Sequence, residues 1–247
     1  MKRRALLIGN SNGLSGVKLD LANYSNFLKR EIGGKWFGSE ISIVMNPTRL
    51  ELLSKIAILK REAPDYAFVV FSGHGAYSKG TILELNRNEE YIYESELHGI
   101  AARQLLIYDC CRNVIDISVT EDYSNFSGTQ LLNKANGIRE MYDTRIMQAI
   151  EQQSSLYACS VGQSSYDTNK GGIYSNCFLS SVFPISENQF KLVGTAQDEA
   201  TPKTTNKAWE IYKKVQTPDH SLPRCISRQQ LIISINPQLG MFGNFMH

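Results

Sequence analysis

The chain has 247 residues, of which 42% are hydrophobic and 20% charged, and this balance is typical of a globular protein with a sizeable core. Its 26 Lys and Arg against 24 Asp and Glu give a net charge of +2, so nucleic acid is not an expected partner. No apolar stretch reaches membrane-spanning length, and the run at 5–8 is too short for a signal peptide. Five cysteines without a CxxC spacing disfavour a disulfide framework or zinc site, and we expect a cytoplasmic protein.

Strands and helices are predicted to alternate along the first part of the chain. Short apolar runs closed by breakers predict strands at 4–8 and 41–45. Helical spacing predicts a helix over 19–31. A second helix begins at Thr48, whose hydroxyl and the Glu51 side chain have the spacing of a capping box.

The pattern continues beyond residue 64 with two further buried strands. Residues 65–71 and 104–108 are continuous apolar runs, which is typical of strands inside a parallel sheet. Between them, residues 81–85 and 91–93 predict a hairpin, and 95–102 a short helix.

In the last part of the chain, the predicted helix and strands are separated by long polar segments. A polar, turn-rich segment at about 114–137 is expected to be a long loop. A helix over 138–153 and strands at 156–159 and 231–235 follow, while 195–206 has a polar composition typical of a flexible segment. Together these elements predict a single α/β domain over residues 1–247, with a mostly parallel six-stranded sheet and helices on both faces.

Two of the predicted strands end directly on reactive side chains. Residues 65–71 run into Ser-Gly-His-Gly at 72–75, and 104–108 run into Asp-Cys-Cys-Arg at 109–112. Carboxyl ends of parallel strands meet at one edge of a sheet, so we expect the histidine and a cysteine to lie together. Each alone is more often structural, but the pair favours a thiolate nucleophile with its base.

The residues around this edge suggest a role for each group. His74 would be the base, and Cys111 or Cys110 the nucleophile, because adjacent strand residues point to opposite faces. The backbone N–H groups of Gly75 and Cys111 are suitable donors for an oxyanion hole.

Segments 71–75 and 109–113 resemble the two catalytic motifs of the caspase-like peptidases, the family of caspases and metacaspases. The resemblance spans most of the chain and implies a caspase-like three-layer sandwich. It also implies an endopeptidase that acts through a thioester acyl-enzyme on a Cys-His dyad. Its Asp-x-Cys register favours Cys111 over Cys110 as the nucleophile.

One departure from the caspase signature bears on specificity. Asp109 stands where caspases have Gln, and this implies the prokaryotic metacaspase-like branch, which cuts after Arg or Lys. Residues 14–20 resemble the branch's Leu-x-Gly-x-x-x-Asp pattern, which puts Asp20 in the same S1 pocket, and Ser72 matches a further pocket position. Two carboxylates would hold a guanidinium through charge-assisted bonds. Alternatively, Asp20 is a helix-start acid and Asp109 caps a turn.

The resemblance also bears on regulation. The segment after the nucleophile is often cut on activation in this family, so Lys134, Arg139 and Arg145 are candidate self-cleavage points, or else ordinary surface charges. No cofactor is needed for the chemistry and no metal site is expected, but Ca²⁺ activation through Glu89 and Glu90 is left open. Family analogy implies a regulated effector in prokaryotic defence or cell death, switched on by a sensor protein or a small-molecule signal.

The loop after the first predicted strand indicates an alternative class of function. Residues 9–16 form a Gly-rich loop between a strand and a helix, where phosphates often bind. The loop lacks both the Gly-Lys-Ser/Thr ending of a P-loop and the Gly-x-Gly-x-x-Gly spacing. The alternative is therefore a nucleotide-binding or scaffold domain without protease activity.

Overall fold

Strands and helices alternate along the chain, and the computed structural model describes residues 1–115, 137–183 and 189–238. Its strands are β1 (Arg3–Gly9), β2 (Ile41–Met45), β3 (Tyr66–Ser72), β4 (Gly75–Tyr77), β5 (Thr81–Glu84), β6 (Tyr91–Tyr93), β7 (Arg103–Asp109), β8 (Gln152–Tyr157), β9 (Asp167–Thr168), β10 (Gly171–Gly172), β11 (Phe190–Leu192), β12 (Asp219–Ser221) and β13 (Ile232–Ile235). Its helices are α1 (Val17–Lys29), α2 (Arg49–Glu62), α3 (Ile138–Gln148), α4 (Ile173–Ser181) and α5 (Val193–Tyr212).

The predicted mostly parallel six-stranded sheet is confirmed. Its strand order is β12-β8-β7-β3-β1-β2, and all neighbours are parallel except β12, which runs antiparallel to β8. Both inner strands β3 and β7 are buried along nearly their whole length, because helices cover both faces of a parallel sheet.

Alternate residues of each strand enter two separate hydrophobic clusters. On β1, Ala5 and Leu7 face the cluster that includes residues of α1, α3, α4 and α5. Leu6 and Ile8 face the opposite cluster, to which α2 contributes. The result is a three-layer sandwich in which the carboxyl ends of the parallel strands share one edge. No helix among the described residues is long and apolar enough to cross a membrane.

Local signals in the sequence identified α2 well. Glu51 N–H donates to the Thr48 hydroxyl at 3.2 Å, and Thr48 N–H donates to Glu51 Oε2 at 2.8 Å. This reciprocal pair is the predicted capping box, a feature that stabilises a helix by about 1 kcal/mol.

Two predicted helices are shorter than expected, and one predicted loop lies mostly outside the described residues. The helix predicted over 138–153 ends at Gln148, because 152–157 pairs with β7 as strand β8. The helix predicted over 95–102 is a single 3₁₀ turn at Glu94–Leu97. The loop predicted at about 114–137 falls almost wholly outside the described residues.

The expectation that 195–206 is flexible is wrong, because this segment lies inside α5. Small and apolar residues recur every three or four positions and bury one face: Val193, Ala196, Ala200, Thr204 and Ala208. The hydroxyl of Thr204 donates to the carbonyl of Ala200, so this polar side chain is satisfied within the helix.

The last predicted strand exists but does not belong to the central sheet. Strand β13 pairs with β11 in a separate two-stranded sheet. The sixth strand of the main sheet is β12, whose residues are all exposed and polar, so it carries no hydrophobic signal.

Candidate active site

The ends of β3 and β7 bring His74 and Cys111 to neighbouring positions at one edge of the sheet. Ser72 is the register partner of Asp109, and Gly73 N–H donates to the Asp109 carbonyl at 3.1 Å. Four residues further along, Tyr77 N–H donates to the Asn113 carbonyl at 2.9 Å. Backbone hydrogen bonds therefore join the two segments on both sides of the histidine and the cysteine.

The imidazole of His74 is oriented by the loop after β1. Its Nε2 lies 2.6 Å from the carbonyl oxygen of Asn12. A carbonyl can only accept a hydrogen bond, so this contact assigns the proton of the neutral ring to Nε2 and leaves Nδ1 as the basic nitrogen. The Gly-rich loop thus supplies a backbone acceptor to the histidine.

The two adjacent cysteines have different surroundings. Cys110 is 1% exposed and belongs to a hydrophobic cluster. A Cβ atom on Gly75 would lie 2.8 Å from the Cys110 sulfur, so glycine allows β4 to pass directly over this thiol. Cys111 is partly exposed, and its Sγ lies 3.5 Å from the Ser165 carbonyl. Only Cys111 of this pair is open to a substrate.

Burial raises the pKa of the Cys111 thiol, and hydrogen bonding with Ser165 and Ser164 opposes this effect only partly. The resting group is therefore a thiol that needs a base to become a nucleophile. A neighbouring imidazole with a free Nδ1 is the kind of base that such a thiol requires.

The antiparallel pairing of β4 with β5 sets the direction of the Gly75 N–H. Glu84 N–H donates to the His74 carbonyl at 3.1 Å, so these two residues form a hydrogen-bonded pair of the antiparallel ladder. Such pairs alternate with pairs that are not bonded, and Gly75 opposite Leu83 is one of the latter. The Gly75 N–H consequently points away from β5, as an oxyanion donor must.

The three residues predicted for the S1 pocket lie together. The Ser72 hydroxyl donates to Asp20 Oδ2 at 2.8 Å, and Asp109 lies opposite Ser72 in the sheet register. Asp20 and Asp109 are 1% and 5% exposed, respectively. Among the described residues, no Lys, Arg or His side chain is bonded to either carboxylate.

Burial and mutual repulsion make these acids hard to ionise. Burial, as the larger cause, and the charge of Asp109 together raise the pKa of Asp20 to about 8. Burial also raises the pKa of Asp109, against the opposing hydrogen bonds of Ser165 and Ser175. Two buried carboxylates without a cation retain a proton between them, and a bound cation would displace it.

Residues on a later segment also contact these two acids, and sequence reasoning missed them. Ser165 and Ser175 hydroxyls each donate to Asp109 at 2.6 Å, and Gly172 N–H donates to Asp20 at 3.0 Å. Asp167 adds a third carboxylate, whose charge raises the pKa of both other acids. The available signal was their position after β8, whose carboxyl end shares the catalytic edge.

Arg112 fixes the loop that follows the nucleophile. Its guanidinium carbon lies 3.9 Å from the ring centre of Tyr157. Its Nη1 is 3.3 Å from the Cys159 carbonyl and 3.4 Å from Asp219 Oδ2. The side chain is 6% exposed, so it ties the nucleophile loop to β8 and β12 from inside the protein.

Two of the candidate self-cleavage points lie within α3. Arg139 is bound to Glu40 through an Nη2–Oε1 contact of 2.6 Å. Arg145 is 8% exposed and donates to the Ser227 carbonyl at 2.8 Å. Cleavage after either residue would require this helix to unwind, so this conformation does not favour them. Lys134 lies outside the described residues.

The acids considered for Ca²⁺ activation are not part of a larger carboxylate cluster in the described residues. Glu90 Oε2 accepts a hydrogen bond from Asn86 at 2.6 Å, and Glu89 sits in the adjoining turn with φ of 59°. Across residues 1–115, 137–183 and 189–238, no three His, Cys, Asp or Glu side chains come together as metal ligands would.

Comparison with known proteins agrees with this architecture. The caspase-domain model Peptidase_C14 matches residues 2–198. No curated protein sequence matches the chain. Caspase-1 from Spodoptera frugiperda has a similar structure, with a TM-score of 0.61 and 12% identity over 95% of this chain and 92% of that one. A protein from Geobacter sulfurreducens gives a TM-score of 0.53 and 14% identity over 90% and 93%, respectively.

At these identities the two structures show a common fold alone. The caspase-domain match covers well over half of the chain and includes both strand ends described above. The chain therefore belongs to the caspase domain family, whose members are cysteine peptidases.

Proposed function

We propose that the protein is a cysteine endopeptidase that cleaves after Arg or Lys. The observation that carries the proposal is the pair of buried carboxylates, Asp20 and Asp109, beside a histidine and an accessible cysteine. Burying two acids without a cation is unfavourable, and a basic side chain of a substrate would relieve it. A neutral or acidic side chain would not.

The groups at the sheet edge support a two-step reaction. His74 Nδ1 takes the proton of the Cys111 thiol, and the thiolate attacks the carbonyl carbon of the scissile bond. The negative charge that develops on the carbonyl oxygen is stabilised by the N–H groups of Gly75 and Cys111. The protonated His74 then gives its proton to the leaving amine, and a thioester remains on Cys111.

Water completes the cycle. His74, again neutral, takes a proton from the water that attacks the thioester, and the Cys111 thiol regains a proton as the new carboxylic acid leaves. Throughout, the Asn12 carbonyl holds Nε2–H, so that the same ring nitrogen acts as base and as acid.

A set of reporter peptides that differ only at the P1 residue tests the proposal. Peptides with Arg or Lys at P1 should be cleaved much faster than the same peptides with Asp or Gln. Cys111→Ala should abolish cleavage, whereas Cys110→Ala should retain it, since Cys110 lies in the core. Equal loss in both variants would contradict the assignment of the nucleophile.

The same experiment addresses the scaffold alternative. In the Gly-rich loop, Ser11 N–H donates to Asn46 Oδ1 at 2.8 Å, and the Asn12 carbonyl is occupied by His74. These contacts do not favour a phosphate site there. If an arginine chloromethyl ketone leaves Cys111 unlabelled and no P1 peptide is cut, the scaffold reading replaces the peptidase.

The biological role that we propose rests on the family resemblance. A caspase-like protease acts on protein substrates. We infer a cytoplasmic effector that a sensor protein or a small-molecule signal switches on, in prokaryotic defence or cell death.

A further inference from the structure

We propose that Asp167 is the specificity-determining acid that directly receives the positively charged P1 group. This inference rests on the proposed Arg/Lys peptidase function and names the residue that makes the first contact. It assigns a role to a side chain that comes from the β9–β10 hairpin.

The hydrogen bonds to Asp20 and Asp109 already use most of their acceptor capacity. Asp20 accepts from the Ser72 hydroxyl and from Gly172 N–H, which is shared between both carboxylate oxygens. Asp109 accepts from the Ser165 hydroxyl and from both the N–H and the hydroxyl of Ser175. Since a carboxylate has about four acceptor positions, each of these acids has few left for a ligand.

The β10 strand also covers the two inner acids. A Cβ atom on Gly172 would clash with Asp109 Oδ2, and one on Gly171 would clash with Asp20 Oδ1. The backbone therefore lies directly against both carboxylates on this side. They contribute negative charge to the pocket from beneath the hairpin.

Asp167 differs from both in having one carboxylate oxygen without a hydrogen-bond donor. Its Oδ2 accepts from Gly16 N–H at 2.9 Å. Its Oδ1 is buried and has no hydrogen-bond partner in the described part of the chain. A buried carboxylate oxygen without a donor is unfavourable, and an ammonium or guanidinium group would supply the missing donor.

The position of Asp167 is fixed from two sides. The Tyr212 hydroxyl donates to the Asp167 carbonyl at 2.6 Å, and the Tyr212 ring stacks on Tyr166 with centroids 4.9 Å apart. On the other side, any Cβ atom on Gly16 would clash with Asp167 Oδ1, so only glycine allows this approach to the start of α1. The carboxylate is thus held in place before a substrate arrives, which reduces the entropic cost of binding.

A purely structural role for Asp167 makes a different prediction. If its only task were to accept the Gly16 N–H, an asparagine would serve equally well, because its amide oxygen can accept the same bond. Asp167→Asn therefore separates charge from structure. Asp65→Asn is the matched control, because Asp65 also accepts a backbone N–H, from Lys2 at 2.7 Å, away from this edge.

The experiment compares kcat/KM of the wild type, Asp167→Asn and Asp65→Asn on peptides with Arg, Lys or neutral citrulline at P1. We expect Asp167→Asn to lower the values for Arg and Lys roughly tenfold or more, which is the difference between a charge-assisted and a neutral hydrogen bond. Citrulline turnover, and the rate at which iodoacetamide alkylates Cys111, should be unchanged. Tyr212→Phe should show a smaller loss with the same selectivity.

Two failures are distinguishable. If the wild type cuts after Arg and Lys and Asp167→Asn keeps both rates within about twofold, or loses citrulline turnover and alkylation equally, the role of Asp167 is overturned and the proposed function stands. If the wild type cleaves after neither Arg nor Lys, the proposed function is wrong, and the inference about Asp167 is wrong as well.

Discussion

Ser72 donates its hydroxyl to Asp20 at 2.8 Å, and thereby joins the end of a central strand to the first helix of the chain. The same Ser72 lies opposite Asp109 in the sheet register. Ser72 thus lies beside both acids of the candidate pocket, Asp20 through its hydroxyl and Asp109 through the sheet register, although the two acids are 89 positions apart in sequence.

Removing the charge of Asp109 should weaken cleavage of basic substrates selectively. We expect Asp109→Asn to lower kcat/KM for an Arg reporter by about tenfold or less, because one of the negative charges beneath the hairpin, which attract a P1 cation without contacting it directly, is lost. The rate of Cys111 alkylation by iodoacetamide serves as the control for an intact nucleophile. A similar fall in alkylation would mean that Asp109 acts on the thiol rather than on the substrate.

The raised pKa of Asp20 predicts a pH dependence of stability. Its folded pKa of about 8 lies above its ordinary value of 3.8, so the folded state binds more protons than the unfolded state between these values. The free energy of unfolding therefore falls as pH rises through this window, and the stabilisation by the retained proton is fully present only at low pH.

Asp20→Asn should remove this dependence. We expect its melting temperature to match the wild type near pH 4 and to exceed it by roughly 2–4 °C or more above pH 8. Thermal melts across this range, with Asp65→Asn as a control, provide the measurement. A difference between Asp20→Asn and wild type that stays constant with pH would contradict the raised pKa.

The stacked guanidinium of Arg112 should contribute to stability more than its ion pair does. We expect Arg112→Ala to lower the free energy of unfolding by about 2 kcal/mol or more, because the cation on Tyr157 and the packing of the buried stem are both lost. Asp219→Asn should cost less than about 1 kcal/mol, because that carboxylate is half exposed. Urea denaturation of both variants tests the order, and equal losses would be inconsistent with it.

The close approach of β10 to the acids should make Gly172 intolerant of a side chain. Gly172→Ala would place its methyl group against Asp109, and we expect a loss of about 1–3 kcal/mol in stability together with lower cleavage of Arg peptides. Gly38→Ala is the control, since nothing lies within 4 Å of its added methyl group. Urea unfolding and reporter cleavage are both measured. A fully stable and active Gly172→Ala variant would show that the β9–β10 hairpin can move away from Asp109 at little cost.

The sequence predicted the sheet edge well because β3 and β7 are continuous apolar runs that stop abruptly at polar residues. It failed for β12, whose three exposed polar residues are a strand only because β8 offers them a partner. It also failed for α5, where Thr, Gln and Pro202 hide a narrow apolar face. In both cases tertiary packing decides the structure and local composition does not.

Some residues of the candidate site could likewise be predicted from the sequence, and others could not. His74, Cys111, Asp20 and Asp109 stand in short motifs, so their roles could be proposed before the fold was known. Ser165, Asp167 and Ser175 have no such motif around them. They reach the pocket because the segment after β8 folds back over α1, a path that no periodicity encodes.

The orientation of His74 depends on a main-chain oxygen of Asn12. This dependence determines which positions of the loop tolerate substitution. The Asn12 side chain is exposed and can be exchanged without removing that oxygen. The backbone there is shaped instead by Asn10, which is fully buried, accepts Asn12 N–H at 3.1 Å and donates to the Glu84 carbonyl. A mutational scan would accordingly score position 12 as dispensable and position 10 as essential, although it is residue 12 that touches the histidine.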